Sequence, residues 1–331
     1  MIKKSILKKI FSLNDTLLNW IIVTWSLNST FAVMKTIILV YSVLAAFIIN
    51  AQMIDNKNGI AFSDEPFFNE EFIKANKIKS IKGSYMFKKS GDIIRNTPYE
   101  CIYEFNNDGL LVAYFETNHS NGIKDTIHNL YEYDAYGNLI KHQKKDKAGY
   151  QTLVYTYDKD FRITAIENRR DVLDKQNDVS KSIYFNKEKI QYHDYGNQIK
   201  KITFNSYDLP YQEEIDYFDS LGYLIETSKK YKMTSNSLSR KFEYNEKGLL
   251  AAIRKSSNVN GVYDEELLFK YDDLGNLLEK HIYKNGQYVS DIQVIYNLDT
   301  KLLSSILTRT VETNFIKILR FKEITFYEWN N

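Results

Sequence analysis

A nine-residue pattern recurs along this chain: aromatic, any residue, aromatic, Asp or Asn, two residues, Gly, any residue, Leu or Ile. Its clear copies run from Tyr103 to Leu111, Tyr131 to Leu139, Phe242 to Leu250 and Phe269 to Leu277. Weaker copies are anchored at Gly91, Phe161, Gly196, Gly222 and Thr300. Steps between the better-aligned anchors are 28, 24, 26, 27 and 25 residues. A chain with such a period is an array of one small unit, and no fold that ignores the period can hold.

The unit has a physical reading. Two aromatics two positions apart face the same side of a strand, and the residues between them (Glu104, Glu132, Thr156, Glu243, Lys270) face the other. That alternation belongs to a sheet with one buried and one wet face. Asp or Asn then opens a turn, because its side chain bonds the backbone two residues on. Gly three positions later supplies a positive φ, and the Leu or Ile begins the return strand. Second turns lie at Asn121-Gly122, Asp146 to Gly149, Asn260-Gly261 and Asn285-Gly286, where Asn-Gly is a strong hairpin signal. Each unit is therefore two antiparallel strands. With 26 Tyr and 19 Phe in 331 residues, the chain is rich in the side chains that suit a half-buried sheet.

The pattern Y-x-Y-D-x-x-G-x-L resembles the YD repeat of the Rhs family of bacterial secreted and surface proteins. Tyr131 to Leu139 matches at every position, and Phe269 to Leu277 departs only in its first aromatic. The resemblance covers about residues 85–302. It implies a curled β-sheet shell, which in that family often carries a terminal toxin domain. This chain has only about nine repeats, too few to close a large shell, and no Asp-Pro among Pro66, Pro98 and Pro210. The family's core motif before the toxin is missing, and the toxin function is not carried over. The expected fold is all-β: an antiparallel meander of about nine YD-type hairpin repeats forming a curled sheet, with a short N-terminal capping helix.

An open sheet needs covered ends. Ser63 to Pro66 followed by Phe67-Phe68-Asn69-Glu70-Glu71-Phe72-Ile73 resembles a helix start. The run Phe315 to Trp329 is strand-like and would close the other end. Residues 52–84 are thus expected to form an N-terminal cap and 85–331 the repeat domain.

Upstream lies a targeting region. Lys35, the uncharged stretch Thr36 to Ile49, and the polar end Asn50-Ala51-Gln52 follow the three-part logic of a signal peptide. Read from Met34, cleavage is expected after Ala51, with residues 1–33 an upstream extension and 34–51 the signal peptide. The alternative is a membrane anchor through residues 17–49, with Lys3, Lys4, Lys8 and Lys9 as its basic flank. No Cys near the cleavage point supports a lipid anchor. After cleavage no membrane attachment is expected, and the protein is placed outside the cell or in the envelope.

Charge narrows the function. The whole chain has 44 Lys+Arg and 42 Asp+Glu; without residues 1–51 the balance is 39 against 41. Nucleic acid is therefore not an expected partner. One cysteine excludes an internal disulfide framework.

No catalytic, cofactor or metal residue is assigned. The aromatic ladder Tyr103, Phe105, Tyr131, Tyr133, Tyr155, Tyr157, Phe242, Tyr244, Phe269, Tyr271 and Tyr296 is read first as packing rungs, and second as a groove for sugars or peptides. His119, His128, His142, His193 and His281 show no close ligand spacing, although His142 and His281 occupy similar repeat positions. Glu70-Glu71, Glu213-Glu214 and Glu265-Glu266 are adjacent pairs, which on a strand face apart. Asp134, Asp158, Asp219 and Asp272 serve turns rather than calcium, and Cys101 is a buried thiol. The insertion Asp171 to Lys181 and the segment Lys232 to Ser239 are the candidate variable contact loops. The expected function is a non-enzymatic binding or scaffold module for a cell-surface glycan or protein. The alternative is a carbohydrate-active hydrolase with unidentified carboxylates.

Overall fold

The computed structural model describes residues 52–328, apart from positions 64, 121–122, 147–148, 175, 177, 235 and 258–262. The expected signal peptide, its cleavage point, the alternative anchor and the turns at Asn121-Gly122 and Asn260-Gly261 lie outside the described residues.

Among the described residues one short helix, α1 (Glu70–Ala75), precedes the sheet. The strands follow in hairpin order. The first six are β1 (Ile78–Lys88), β2 (Arg95–Phe105), β3 (Leu111–Ser120), β4 (Ile123–Tyr133), β5 (Leu139–Asp146) and β6 (Gly149–Tyr157). Then come β7 (Ile163–Leu173), β8 (Val179–Asp194), β9 (Gln198–Phe204), β10 (Pro210–Phe218), β11 (Leu224–Tyr231) and β12 (Ser237–Tyr244). The last are β13 (Leu250–Ser256), β14 (Glu265–Tyr271), β15 (Leu277–Lys284), β16 (Gln287–Tyr296), β17 (Leu303–Thr310) and β18 (Phe315–Phe326).

Every strand pairs antiparallel with the next, and β18 returns to pair with β1 from Ile78↔Phe326 to Lys88↔Ile316. The sheet is therefore an 18-stranded closed barrel. This corrects the expectation of a curled sheet with capped ends. Nine units of two strands are enough to close, because closure depends on strand number and stagger rather than on reaching the size of a large shell. The run from Phe315 does not cap a far end; as β18 it makes the seam.

The turns explain the repeat. After β2, β4, β6, β10, β12 and β14, an Asn or Asp side chain accepts from the N–H groups two and four positions on: Asn106, Asp134, Asp158, Asp219, Asn245 and Asp272. The anchor residue that ends each turn has positive φ, including the non-glycine Phe161 at 59°. In the degenerate copy the positive φ falls on Lys301 rather than Thr300. These turns all lie at one end of the barrel. Gly91 is not one of them: it sits in the β1–β2 turn, at the opposite end. An unforeseen turn of the same build stands at that opposite end, where Asn205 bonds the N–H groups of Tyr207 and Leu209 and Asp208 takes φ 57°.

The two aromatics of the motif have different tasks. Those in the first place pack: Tyr103, Tyr131, Phe242 and Phe269 are buried. The second is usually Tyr because its hydroxyl donates to the first carbonyl of an earlier return strand. Tyr133 reaches Leu111 O, Tyr157 Leu139 O, Tyr244 Leu224 O, Tyr271 Leu250 O and Tyr296 Leu277 O, at 2.7–3.1 Å. Tyr192 does the same to Ile163 O at 2.9 Å. Each unit is thus tied to its neighbour by a bond that satisfies a carbonyl at the strand start.

The aromatic face is the inner one. Ala61 O accepts from Lys280 on β15, while the next residue, Phe62, contacts Phe67, which packs on Tyr103 of β2. Five strand spacings separate β15 from β2, about 24 Å along the sheet, and adjacent residues reach both only across its concave side. Residues 52–77 fill that side. Met53, Ile54, Ala61, Phe67, Phe68, Phe72 and Ile73 share one core with Phe105, Leu250, Leu277, Leu303 and Phe321. Helix α1 starts at Asn69, whose side chain accepts from Phe72 N, and not at Ser63 to Pro66 as its sequence suggested. Phe67 and Phe68 instead enter the core ahead of it, and Phe68 pairs with Ile54 in an isolated bridge. The outer face is charged: Lys82 pairs with Glu100, Lys141 with Glu132, Lys270 with Glu279, and Arg254 with both Glu243 and Glu266.

Candidate binding cavity

Between the inserted segment and the barrel wall lies a cavity of about 240 Å³. Strands β17, β18 and β1–β4 supply its wall, and Phe62, Ser63, Glu65 and Phe67 its lid. The alternation of the strands brings these side chains together: Tyr85 faces Leu319, Tyr103 faces Tyr114, and Tyr114 faces Asn129 across neighbouring strands. The seam between β1 and β18 runs through the cavity, so Lys317 meets residues near position 100.

The floor is aromatic. Tyr103 and Tyr114 stack with centroids 4.7 Å apart, and Tyr103 lies edge-on to Phe67 at 6.2 Å. Tyr131 stacks on His142 at 4.8 Å with planes 6° apart, and His142 Nε2 is 3.1 Å from Asn129 Oδ1. At one side stands a charged pair. Tyr114 donates to Glu116 Oε2 at 2.7 Å, and Lys317 Nζ is 3.5 Å from Glu116 Oε1. The same ammonium lies 4.2 Å from the centroid of Tyr85, a cation–π geometry.

Burial pushes the phenols of Tyr85, Tyr103 and Tyr114 well above the ordinary tyrosine range, and the charge of Glu116 adds to this. They are neutral hydroxyls at any physiological pH. Burial likewise lifts the Cys101 thiol to about 12, and only 1% of its surface is exposed. The cavity therefore offers ring faces, neutral hydroxyls, the carboxylates of Glu65 and Glu116 and one ammonium, and its phenols are held protonated.

The sequence pointed to Tyr103 and Tyr131 as ladder members but not to Tyr85, Tyr114, Glu116 or Lys317. His142 and His281 do not meet: His142 is on the inner face, and His281 is on the outer face, 2.8 Å from Glu279. Among the described residues no group of three His, Cys, Asp or Glu could hold a metal ion. Glu213 and Glu214 pair with Lys200 and Lys201, and Glu265 and Glu266 with Lys255 and Arg254, each pair split between the two faces. The insertion Asp171 to Lys181 is mostly strand: β7 runs to Leu173 and β8 starts at Val179. Asp171 itself is 2% exposed and accepts from Thr152 Oγ1, Ser182 Oγ and Arg169 Nε. Of Lys232 to Ser239, β12 takes the part from Ser237.

No protein-family model matches the sequence, and no curated protein is detectably similar to it. Among solved structures the chain is similar to a porin-like protein from Bacteroides uniformis, with 11% identity, a TM-score of 0.36, and 76% of this chain and 97% of that one covered. It is also similar to the TcdB2-TccC3 structure, with 11% identity and a TM-score of 0.20. That match covers 71% of this chain but 15% of the other. A LolA superfamily protein from Nitrosomonas europaea matches with 7% identity, a TM-score of 0.23, and 77% and 91% of the two chains covered. These are likenesses in β-architecture.

Proposed function

We propose that the protein is a non-enzymatic binding module of the cell envelope, and that its inner cavity seats one sugar ring of a glycan. The observation that carries this reading is the set of tyrosine and phenylalanine faces closed at one side by Tyr114, Glu116 and Lys317. Aromatic faces suit the C–H faces of a sugar ring, and a fixed carboxylate and ammonium suit its hydroxyls. A volume of about 240 Å³ is below that of sites for drug-sized ligands, which favours a single ring. The uncharged stretch Thr36 to Ile49, led by Lys35 and followed by Asn50-Ala51-Gln52, supports export. No helix among the described residues is long and apolar enough to cross a membrane. The ion pairs on the outer face contrast with the apolar band of a lipid-facing barrel.

The test is calorimetric titration against a panel of monosaccharides and short glycans, with reducing-end release assayed in parallel. Binding without turnover, lost in Glu116→Gln and in Tyr114→Phe, is expected. Turnover would support the hydrolase alternative, and binding that ignores both variants would move the site elsewhere.

A further inference from the structure

We propose that the sugar seated in the inner cavity is an unacetylated amino sugar, bound in its ammonium form, and that Glu65 is a residue that selects it. This inference rests on the sugar-binding reading above and adds the charge of the ligand.

The charged side chains that line the cavity are Glu65, Glu116 and Lys317. Two carboxylates stand against one ammonium, so the lining carries one negative charge in excess. The two carboxylates differ in what they already hold. Glu116 is engaged: it accepts from Tyr114 and stands 3.5 Å from Lys317 Nζ. Glu65, on the lid, pairs with no base among the described residues. Its backbone is fixed, with Glu65 N donating to Ser63 Oγ at 3.2 Å and Phe67 buried in the core two positions on. Its charge reaches the inner wall: burial, and after it the charge of Glu65, raises the phenol of Tyr155 on β6.

The cavity also shows how it treats a cation. The ammonium of Lys317 lies over the ring of Tyr85, 4.2 Å from the centroid. Ring faces attract a cation, and more strongly where water is excluded. Phe62, Phe67 and Tyr131 bring further rings to the same space.

The charge of the ligand follows from these groups. A neutral hexose leaves Glu65 without a cation. A uronate or a sugar phosphate adds negative charge to a lining that already has an excess, and like charges repel in a part-buried site. An ammonium on the sugar ring brings the lining to neutrality and supplies a charged donor to a carboxylate. The C–H faces of the ring stay free for the tyrosines. Acetylation of the amine removes the charge, so an acetylated sugar falls back among the neutral ligands.

Calorimetric titration of the purified protein with glucosamine, glucose, N-acetylglucosamine and glucuronate tests this. Glucosamine is expected to bind roughly fivefold or more tighter than glucose. N-acetylglucosamine should bind no tighter than glucose, and glucuronate should be the weakest. Two substitutions then move the lining charge in opposite directions. Glu65→Gln should lower the glucosamine-to-glucose affinity ratio by roughly twofold or more, and Lys317→Met should raise it. Both residues are exposed, and the circular dichroism spectra of both variants should be unchanged. A loss of packing would weaken both sugars together and leave the ratio unmoved. Glucose that binds as tightly as glucosamine overturns this inference and leaves the sugar-binding reading standing. So does a ratio that Glu65→Gln leaves unchanged or that Lys317→Met fails to raise. If none of the four sugars binds, both readings fall.

Discussion

The ammonium of Lys280, on β15, donates to the backbone carbonyl of Ala61 at 2.9 Å, and the lysine is 8% exposed. This bond fixes the inserted segment to the barrel wall opposite its contacts with β2. Lys280→Met keeps the apolar stem and leaves a buried carbonyl without its donor, so a loss of about 1–3 kcal/mol is expected in chemical denaturation. Burial holds the Lys280 ammonium below the ordinary lysine range, with Lys255 acting in the same direction. The unfolded chain therefore binds more protons at this site between the lowered and the ordinary pKa. Stability from this site should rise with pH across that window, and the rise should vanish in the Met variant.

Removing the hydroxyl of a second-place tyrosine tests the bond between units. Tyr133→Phe and Tyr244→Phe should each cost about 1–3 kcal/mol, because Leu111 O and Leu224 O lose their donor. Tyr136→Phe, at a turn tip 80% exposed, should change nothing measurable. Equal losses at all three would show that the hydroxyls do not tie the strands.

Two turn glycines with nearly the same φ should respond differently to alanine. Gly137, at φ 86°, has nothing nearer a new Cβ than Leu110 Cδ1 at 4.0 Å, so only backbone strain of about 1–2 kcal/mol is expected. At Gly109, φ 82°, the Cβ would lie 2.1 Å from Glu70 O and 2.8 Å from Lys74 N. Gly109→Ala must displace helix α1 and should cost clearly more. Midpoints of denaturation for the two variants decide it.

Glu214 governs part of the acid limb of stability. Burial opposes its charge, but Lys201 and Lys229, at 3.0 and 3.1 Å, outweigh burial and hold its carboxyl below the ordinary glutamate range. A carboxyl whose folded pKa is depressed stabilises fully above its unfolded pKa and loses that contribution as pH falls through the folded value. Glu214→Gln should therefore destabilise at neutral pH and flatten the fall below the usual glutamate pKa. Melting temperatures across that pH range are the measurement.

Cys101 should be silent to thiol reagents in the folded protein. Its thiol, lifted to about 12 by burial, carries almost no thiolate at pH 8. Labelling should appear only on unfolding, and prompt labelling of the native protein would contradict the packing around Tyr85 and Tyr103.

Local chemistry made the turns and strand faces legible before the structure. Asp134, Gly137 and Leu139 lie within a few residues of one another, and their side chains act on the nearest backbone. Glu104 and Glu132 face outward because a strand alternates, whatever surrounds it. The non-glycine turns at Phe161, Asp208 and Lys301 show the limit of that reading, since the backbone demands a positive φ there with no glycine to announce it. Closure was not legible: the second partner of β1 is the last strand of the sheet, β18, and nothing near Ile81 encodes Ile324. The cavity was hidden for the same reason. Glu116 and Lys317 are 201 positions apart, and each alone resembles an ordinary strand charge. Phe62, Phe67 and Phe68 carried the one available signal, an aromatic cluster outside the repeat.

The seam between β1 and β18 sets an order of events. The first strand made has its permanent partner in the last, so the ring waits for the ribosome or the translocon to deliver residues 315–326. Until then the barrel has two open borders, β1 and the strand most recently delivered, and its aromatic interior is unsealed. Pairing over such a span is slow, since the whole loop must be closed before the contact is rewarded. A linear array could gain or lose a unit at its end with little disturbance. This ring must re-form its seam with a new partner whenever a hairpin is added or removed, so its repeat number is a property of the whole circle.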